Sequence, residues 1–144
     1  MRISEVLAAK AIPGVITINP EATVRDLLAL LAEHNVGAVI VSPDGTEVGG
    51  MVSERDVVRR LNEEDAILDG PVSAIMTSVV QTCTVEDDVT MLMTAMTEHR
   101  IRHVPVVAEG RLTGIISIGD VVKHRIDQLE FERDQLSSYV SNTQ

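Results

Sequence analysis

The sequence predicts an α+β fold built from two β-α-β-β-α repeats that pack with pseudo-twofold symmetry, followed by a C-terminal helix. Three observations support this prediction. The chain repeats itself at an offset of 65 residues, as in His34 and His99 (99 − 34 = 65). Each copy contains short Val- and Ile-rich stretches typical of strands. Each copy also contains a segment whose apolar residues recur at helical spacing.

The two copies cover residues 12–61 and 77–126. A one-residue slip in a turn changes the offset to 64, so that Asp56 pairs with Asp120 (120 − 56 = 64). Chains with an internal period are best divided by their repeats. We therefore expect a first repeat with its N-terminal segment at 1–70, a second repeat at 71–126 and a helical extension at 127–144.

Each copy opens with a short strand, predicted at 15–17 and at 80–82, and continues with a helix, predicted at 24–34 and at 89–99. Thr23 is a suitable N-cap for the first of these helices. Both helices end at a histidine, which is a favourable residue near the negative end of a helix dipole when it is protonated. A hairpin then follows, with a turn whose glycine suits a positive φ. Its strands are predicted at 38–41 and 50–52 in the first copy and at 104–107 and 114–116 in the second, with closing helices near Asp56 and Asp120.

Composition excludes several classes of function. The formal net charge is −10 with only 12 Lys and Arg, which argues against a nucleic-acid surface. One cysteine, Cys83, excludes an internal disulfide and a cysteine-rich zinc site. Neither a signal peptide nor an apolar run of membrane-spanning length is present, so we expect a cytoplasmic protein with no membrane partner. Catalytic motifs are missing too, which indicates that the chain is not an enzyme and holds neither a metal nor a catalytic cofactor.

The repeated polar residues are Thr17 with Thr82, Ser53 with Ser117 and Asp56 with Asp120. The two Gly-x-x-Ser-x-x-Asp stretches place Ser at a strand end and Asp at a helix start. One interpretation is helix capping, with Ser as N-cap and Asp in the first turn. The other is a ligand site, because a helix N-terminus binds phosphate and a carboxylate accepts hydrogen bonds from a ribose diol.

The stretch EHRIRHVPVV at 98–107 supplies the positive charge that a phosphate needs. Arg102 and His103, together with Arg55 and Arg100, are the available cations. His103 is charged mainly below its ordinary pKa near 6.5, so we expect phosphate binding to strengthen as pH falls from 8 to 6. The other copy has Gly37 and Ala38 where this one has Arg102 and His103.

These motifs resemble a known family. VSAIMT at 72–77, TVEDDV at 84–89, HRIRHVPVV at 99–107 and the two Gly-x-x-Ser-x-x-Asp stretches together are similar to cystathionine-β-synthase (CBS) domains, and the tandem resembles a Bateman module. The resemblance covers about residues 1–126. It implies that an adenosine ligand, namely AMP, ADP, ATP, NAD or S-adenosylmethionine, binds in two clefts between the repeats with its ribose on the motif Asp.

Carried over residue by residue, the resemblance assigns two sets of site residues. The first cleft would use Ser53, Arg55, Asp56, Thr82, Ile101, Arg102 and His103. The second would use Thr17, Val36, Gly37, Ser117 and Asp120. Since Gly37 and Ala38 replace the Arg-His pair, the second cleft is expected to be weaker for charged nucleotides.

The C-terminal segment carries apolar residues spaced alternately 4 and 3 apart, at Val122, Ile126, Leu129, Leu136 and Val140, with Arg133 interrupting the seam. This heptad pattern favours a homodimer; the alternative is a helix folded back on its own module. We expect a stand-alone regulatory module that acts through an unidentified protein target or through its oligomeric state. A structural interaction module with empty clefts, and an enzyme with an unrecognised site, are the alternatives.

Overall fold

The computed structural model describes residues 1–10, 14–78 and 81–142. It confirms the predicted fold class: two repeats of mixed helix and strand, a three-stranded sheet and a two-stranded sheet, and a long C-terminal helix. Short 3₁₀ turns at Asp65–Asp69 and Val72–Ala74 link the repeats. The elements are α1 (Ile3–Ala8), β1 (Thr17–Ile18), α2 (Val24–His34), β2 (Ala38–Val41), β3 (Gly50–Ser53), α3 (Glu54–Leu61), α4 (Val89–His99), β4 (His103–Ala108), β5 (Arg111–Ser117) and α5 (Ile118–Asn142).

The sheet of the first repeat has the order β1-β2-β3, with β1 parallel to β2 and β2 antiparallel to β3. Every residue of β2 is buried, which explains its unbroken apolar sequence AVIV. The hairpin β2–β3 is where the repeat pattern predicts it. β1 consists only of Thr17 and Ile18, so it overlaps the predicted strand 15–17 in a single residue.

The second repeat lacks its predicted first strand in the described residues. Val80 lies outside them, and neither Gln81 nor Thr82 belongs to a strand. The segment meets β4 through one parallel bridge at Cys83, whose N–H donates to Pro105 O at 3.0 Å and whose carbonyl accepts from Val107 N–H at 2.9 Å. Continuing this ladder toward Gln81 would need an N–H donor at Pro105, which proline does not have. The prediction of a strand at 80–82 was therefore wrong for the described residues.

The helix boundaries follow the capping residues. Thr23 caps α2 as predicted, with the N–H of Asp26 donating to Thr23 Oγ1 and the N–H of Thr23 donating to Asp26 Oδ2. Both α2 and α4 end at their histidines, and the next residue of each is left-handed: Asn35 at φ 52° and Arg100 at φ 55°. α3 and α5 begin two residues earlier than predicted, at Glu54 and Ile118, because the preceding serines are the caps.

Each repeat includes in its core the segment that precedes the other repeat. Ile3 and Val6 of α1, a helix that the repeat pattern does not predict, pack into the core of the second repeat. Val72 and Ile75 of the linker pack into the core of the first repeat. Burial of such aliphatic side chains is the main favourable term in folding, so both terminal and linker segments are integral parts of the fold.

Two glycines lie where α1 and the linker pack against the hairpins. A Cβ at Gly114 would lie 3.0 Å from Leu7 Cδ2, and a Cβ at Gly50 would lie 3.0 Å from Met76 Sδ. Gly114 and Gly50 occupy matching places in the two repeats, before Ser117 and Ser53. The close approach therefore holds the ends of α1 and of the linker beside the two Gly-x-x-Ser-x-x-Asp motifs.

The last helix, α5, is 25 residues long and leaves the body of the protein after Val121, which is buried. Beyond that residue its apolar side chains are exposed, from 46% at Val122 to 68% at Tyr139. The C-terminal helix is therefore continuous, as predicted, and it does not fold back on the repeats. The proposed seam residues Val122, Ile126, Leu129, Leu136 and Val140 are all among the exposed ones.

Candidate functional site

Both Gly-x-x-Ser-x-x-Asp motifs form the same local structure at a strand-to-helix junction. In the first, Ser53 N–H donates to Asp56 Oδ2 at 2.8 Å and Asp56 N–H donates to Ser53 Oγ at 3.3 Å. In the second, Ser117 N–H donates to Asp120 Oδ2 at 2.9 Å and Asp120 N–H donates to Ser117 Oγ at 3.1 Å. The capping role is thus present in both copies, and any binding role comes in addition to it.

A cavity of about 430 Å³ opens beside the first motif, which lies within the usual size of small-ligand pockets. It forms where the start of α3 faces the junction between α4 and β4. Seven of the twelve residues proposed from the sequence line it: Gly37, Ser53, Arg55, Asp56, Ile101, Arg102 and His103. The pocket was thus predictable in outline from the repeated motif and from the stretch at 98–107.

The other five proposed residues do not line this cavity. Thr17 is half-buried in β1, Val36 packs against the first core and Thr82 is exposed. Ser117 and Asp120 lie at the start of α5, beside Lys10. The structure thus brings six of the seven residues proposed for the first cleft to one cavity, and it does not bring Thr82 there.

Gly37 lines the cavity beside the first motif. The resemblance assigned it to the cleft around Asp120, but it lines the same cavity as Asp56 and Arg102. The reason is a backbone hydrogen bond of 2.9 Å from Glu54 N–H to Gly37 O, which ties the start of β2 to the start of α3. The matching bond in the second repeat runs from Ile118 N–H to Arg102 O at 2.8 Å.

Three arginines line the cavity. Arg55 comes from the first turn of α3, while Arg100 and Arg102 come from the α4–β4 junction. Arg100 has a left-handed backbone, which is uncommon for a residue other than glycine or asparagine and is found more often at functional sites. The same cavity includes the carboxylates of Glu54 and Asp56. Other lining residues that the sequence did not single out are Ala38, Met51, Thr77, Ser78, Gln81 and Pro105.

His103 lies between the two Gly-x-x-Ser-x-x-Asp motifs. It lines the cavity, and its strand partner across β4–β5 is Ser117. Burial lowers the pKa of His103 below its ordinary value, and the cations Lys10 and Arg102 lower it further, against the opposing effect of Asp120. Protonation of His103 therefore moves to lower pH than that of an unperturbed histidine, which makes the expected gain in positive charge between pH 8 and 6 smaller. The arginines supply the positive charge of the cavity near neutrality.

The second motif has an ion-pair partner, and the first motif has none among the residues that the structure describes. Lys10 Nζ lies 3.0 Å from Asp120 Oδ2 and donates to Ile115 O at 2.8 Å. Burial tends to raise the pKa of Asp120, but the hydrogen bond from Ser117 N–H and the contact with Lys10 outweigh it, and the pKa is lowered. Asp120 is thus a carboxylate held ionised in an ion pair.

Other chemistry finds little support in the described residues. Cys83 is buried, and burial raises the pKa of its thiol to about 12, so the thiolate needed for nucleophilic attack is scarce. Within residues 1–10, 14–78 and 81–142, no group of three His, Cys, Asp or Glu side chains is arranged to hold a metal ion. None of the helices in this part of the chain combines the length and apolar character needed to span a bilayer.

The family model described as CBS domain matches residues 3–63 and 72–127. The chain belongs to the CBS domain family. An uncharacterized 17.7 kDa protein of Acidianus ambivalens is 30% identical over 127 residues, which is 88% of this chain and 74% of that protein. The two matches contain the internal repeat at 12–61 and 77–126 and extend it at the N-terminal side, the first by α1 and the second by the linker from Val72.

Solved structures of CBS-domain proteins share this arrangement. A CBS-domain-containing protein from Agrobacterium tumefaciens superposes with a TM-score of 0.81 at 39% identity, covering 87% of this chain and 99% of that one. A CBS domain protein from Pyrobaculum aerophilum, complexed with AMP, has a TM-score of 0.75 at 32% identity and covers 92% of this chain and 99% of that one. The fold of this chain is thus that of a CBS-domain pair.

Proposed function

We propose that this CBS pair is a regulatory module that binds an adenosine nucleotide in the cavity beside Asp56. The observation that carries the proposal is the composition of that cavity. A helix N-terminus, a carboxylate and three arginines, Arg55, Arg100 and Arg102, line one space of ligand size. Such a set suits a ligand that has both a phosphate and a ribose.

Each group has a role in this proposal. Both hydrogen bonds from Ser53 to the Asp56 carboxylate end on Oδ2, so Oδ1 is the atom that faces a ribose hydroxyl. The arginines bind the phosphate, and Arg102 can do so with two parallel hydrogen bonds. Aliphatic surface at Ile101 and Met51 receives the base. AMP, ADP and ATP are the ligands that this set favours, and the AMP complex of the Pyrobaculum relative supports the same class.

NAD and S-adenosylmethionine share the adenosine moiety and complete the ligand class that we propose. The arginines favour the phosphorylated members, because a phosphate is negatively charged, whereas the sulfonium centre of S-adenosylmethionine is positively charged. The module performs no reaction in this proposal. Its output is a change in a bound protein target or in its own oligomeric state, in the cytoplasm.

The alternative is a structural interaction module whose cavity stays empty. Calorimetry and thermal unfolding with AMP, ADP, ATP, NAD and S-adenosylmethionine separate the two. We expect saturable binding of the phosphorylated ligands and a rise in the midpoint of unfolding that grows with ligand concentration. A protein that shows neither binding nor a thermal shift with any of the five compounds is a structural module, and the proposal then fails.

We also propose a homodimer in which α5 supplies part of the interface. Its exposed seam, Val122, Ile126, Leu129, Leu136 and Val140, is the reason. Removal of residues 127–144 should lower the mass measured by light scattering at low micromolar concentration toward that of one chain, while AMP affinity stays within about twofold, a difference below 0.5 kcal/mol.

A double variant, Leu129→Glu with Leu136→Glu, tests the same seam without shortening the chain. Ser138→Glu is the matched control, because it adds a carboxylate to the same helix away from the seam. The seam variant should dissociate and the control should not. An unchanged mass for the seam variant and for the truncated chain would remove α5 from the interface.

A further inference from the structure

Glu54 is a carboxylate of the cavity that has no role in the proposed function. It is the first residue of α3, and it lines the cavity together with Asp56. Its N–H donates to Gly37 O at 2.9 Å, and a Cβ at Gly37 would lie 3.4 Å from Glu54 Oε1. The carboxylate therefore lies against the start of β2, where the absence of a side chain at Gly37 leaves room for it.

Neither capping nor an ion pair accounts for the Glu54 side chain. The capping box of α3 is formed by Ser53 and Asp56. Among the ion pairs of the residues that the structure describes, none involves Glu54 or an arginine of the cavity. Within the chain, the remaining role for this carboxylate is a favourable interaction with the positive end of the helix.

The second repeat has the same backbone arrangement without the charge. Ile118 N–H donates to Arg102 O at 2.8 Å, as Glu54 N–H donates to Gly37 O. The helix α5 thus begins Ile-Gly-Asp where α3 begins Glu-Arg-Asp. The two charges that only the first repeat carries, on Glu54 and Arg55, both line the cavity. The fold therefore does not require a carboxylate at this position, since the second repeat is built without one.

The charges that line the cavity nearly balance. Three arginines are offset by the carboxylates of Glu54 and Asp56, which leaves one net positive charge. His103 adds little near neutrality, because burial lowers its pKa. The formal net charge of the chain is −10, so the rest of the protein carries −11 (−10 − 1). A nucleoside monophosphate, with roughly −1.5 to −2 charges on its phosphate, suffices to neutralise this cavity, and each further phosphate adds negative charge that the cavity does not balance.

We propose that Glu54 limits the number of phosphates that the cavity accepts, so that the preferred ligand is a nucleoside monophosphate rather than a triphosphate. The inference rests on the proposed function, in which the phosphate binds at the start of α3 and at the arginines. Glu54 belongs to that same helix turn, so its carboxylate repels the added phosphates of a longer chain. Two like charges about 4 Å apart in water oppose binding by about fivefold, and exclusion of water increases this factor.

Glu54 could instead bind a divalent cation that accompanies a triphosphate. Glu54→Gln separates the two roles, because glutamine keeps the size of the side chain and removes its charge. For a carboxylate that limits phosphate number, the substitution strengthens ATP binding relative to AMP binding. For a cation ligand, it weakens ATP binding in the presence of Mg²⁺. For a carboxylate that only stabilises the helix, it lowers the midpoint of thermal unfolding and leaves the relative affinities unchanged.

The experiment is a calorimetric titration of AMP and of ATP, with EDTA and with Mg²⁺, into the wild-type protein, Glu54→Gln and Glu63→Gln. Glu63 is the matched control, because it is an exposed glutamate just beyond α3 that does not line the cavity. We expect the wild-type protein and Glu63→Gln to bind AMP more tightly than ATP. In Glu54→Gln the ratio of the ATP Kd to the AMP Kd should fall by about threefold or more in EDTA. Glu54→Asp keeps the charge and should keep the wild-type ratio.

The outcomes are distinct. A fall of the Kd ratio in Glu54→Gln, with the wild-type ratio in Glu63→Gln and Glu54→Asp, supports the inference. A wild-type protein that binds ATP as tightly as AMP, or an unchanged ratio in Glu54→Gln, overturns it and leaves the proposed function standing. Weaker ATP binding by Glu54→Gln in Mg²⁺ alone overturns it in favour of a cation ligand. No binding of AMP or ATP to any of the proteins overturns both the inference and the proposed function.

Discussion

Asp56→Ala should weaken AMP binding at least tenfold while leaving the protein folded. In the proposed function the Asp56 carboxylate accepts from the ribose diol, and its loss removes a charge-assisted hydrogen bond worth roughly 1.5–3 kcal/mol. That range corresponds to about one to two decades in Kd. Isothermal titration of AMP and ATP at fixed salt measures it directly.

Stability has to be separated from binding, because Asp56 also caps α3. Asp26→Ala is the matched control: Asp26 closes the same capping box with Thr23 on α2 and does not line the cavity. Both variants should lose about 1 kcal/mol of unfolding free energy. Only Asp56→Ala should lose affinity. Equal affinities for the two variants would reduce Asp56 to a capping residue.

The repeat explains why so much of the fold could be predicted. Two copies of one pattern give two independent observations of each element, and the periodicities of α2, α4 and the hairpins are strong in both. The 3.6-residue and 2-residue patterns report on which face is buried. These patterns do not show which residues have a backbone N–H to donate. For this reason a strand was predicted at 80–82, opposite Pro105, which has no N–H.

The candidate site was predictable where it is local in sequence. Ser53 with Asp56, and Ile101 with Arg102 and His103, lie in short continuous motifs, and the structure brings both motifs to one cavity. Partners distant along the chain left no comparable pattern. Lys10 reaches Asp120 only because α1 packs into the second repeat rather than the first, and nothing in the helical periodicity of six residues indicates that exchange.

Burial also changes one expectation from the sequence, which is the pKa of His103. From sequence, His103 has its ordinary pKa and helps to bind phosphate near neutral pH. In the fold it is partly buried beside two cations, which lowers its pKa. The proposed phosphate recognition therefore depends mainly on the arginines. Among them, Arg102 also accepts, through its carbonyl, a hydrogen bond of 2.8 Å from Ile118 N–H at the start of α5.

Arg102→Ala should weaken the tighter AMP-binding event by about a hundredfold, which removes it at concentrations that saturate the wild type. A guanidinium bound bidentately to phosphate contributes through two charge-assisted hydrogen bonds, so its loss costs on the order of 3 kcal/mol, or about a hundredfold in Kd. Arg55 and Arg100 line the same cavity and retain part of the attraction. Adenosine, which has no phosphate, should bind the variant and the wild type equally. Calorimetry with AMP and adenosine at the same moderate salt concentration tests both statements.

Two further variants show which cleft the arginine serves. Arg59→Ala removes an equal charge from the exposed side of α3, outside the cavity, and should leave AMP affinity within about twofold. Asp120→Ala should spare the tighter event, because Asp120 does not line the cavity that contains Asp56 and Arg102. Loss of that event in Asp120→Ala, together with wild-type affinity in Arg102→Ala, would place the phosphate in the other cleft. It would also make Lys10 its cationic partner, since Lys10 is the side chain already bound to that carboxylate.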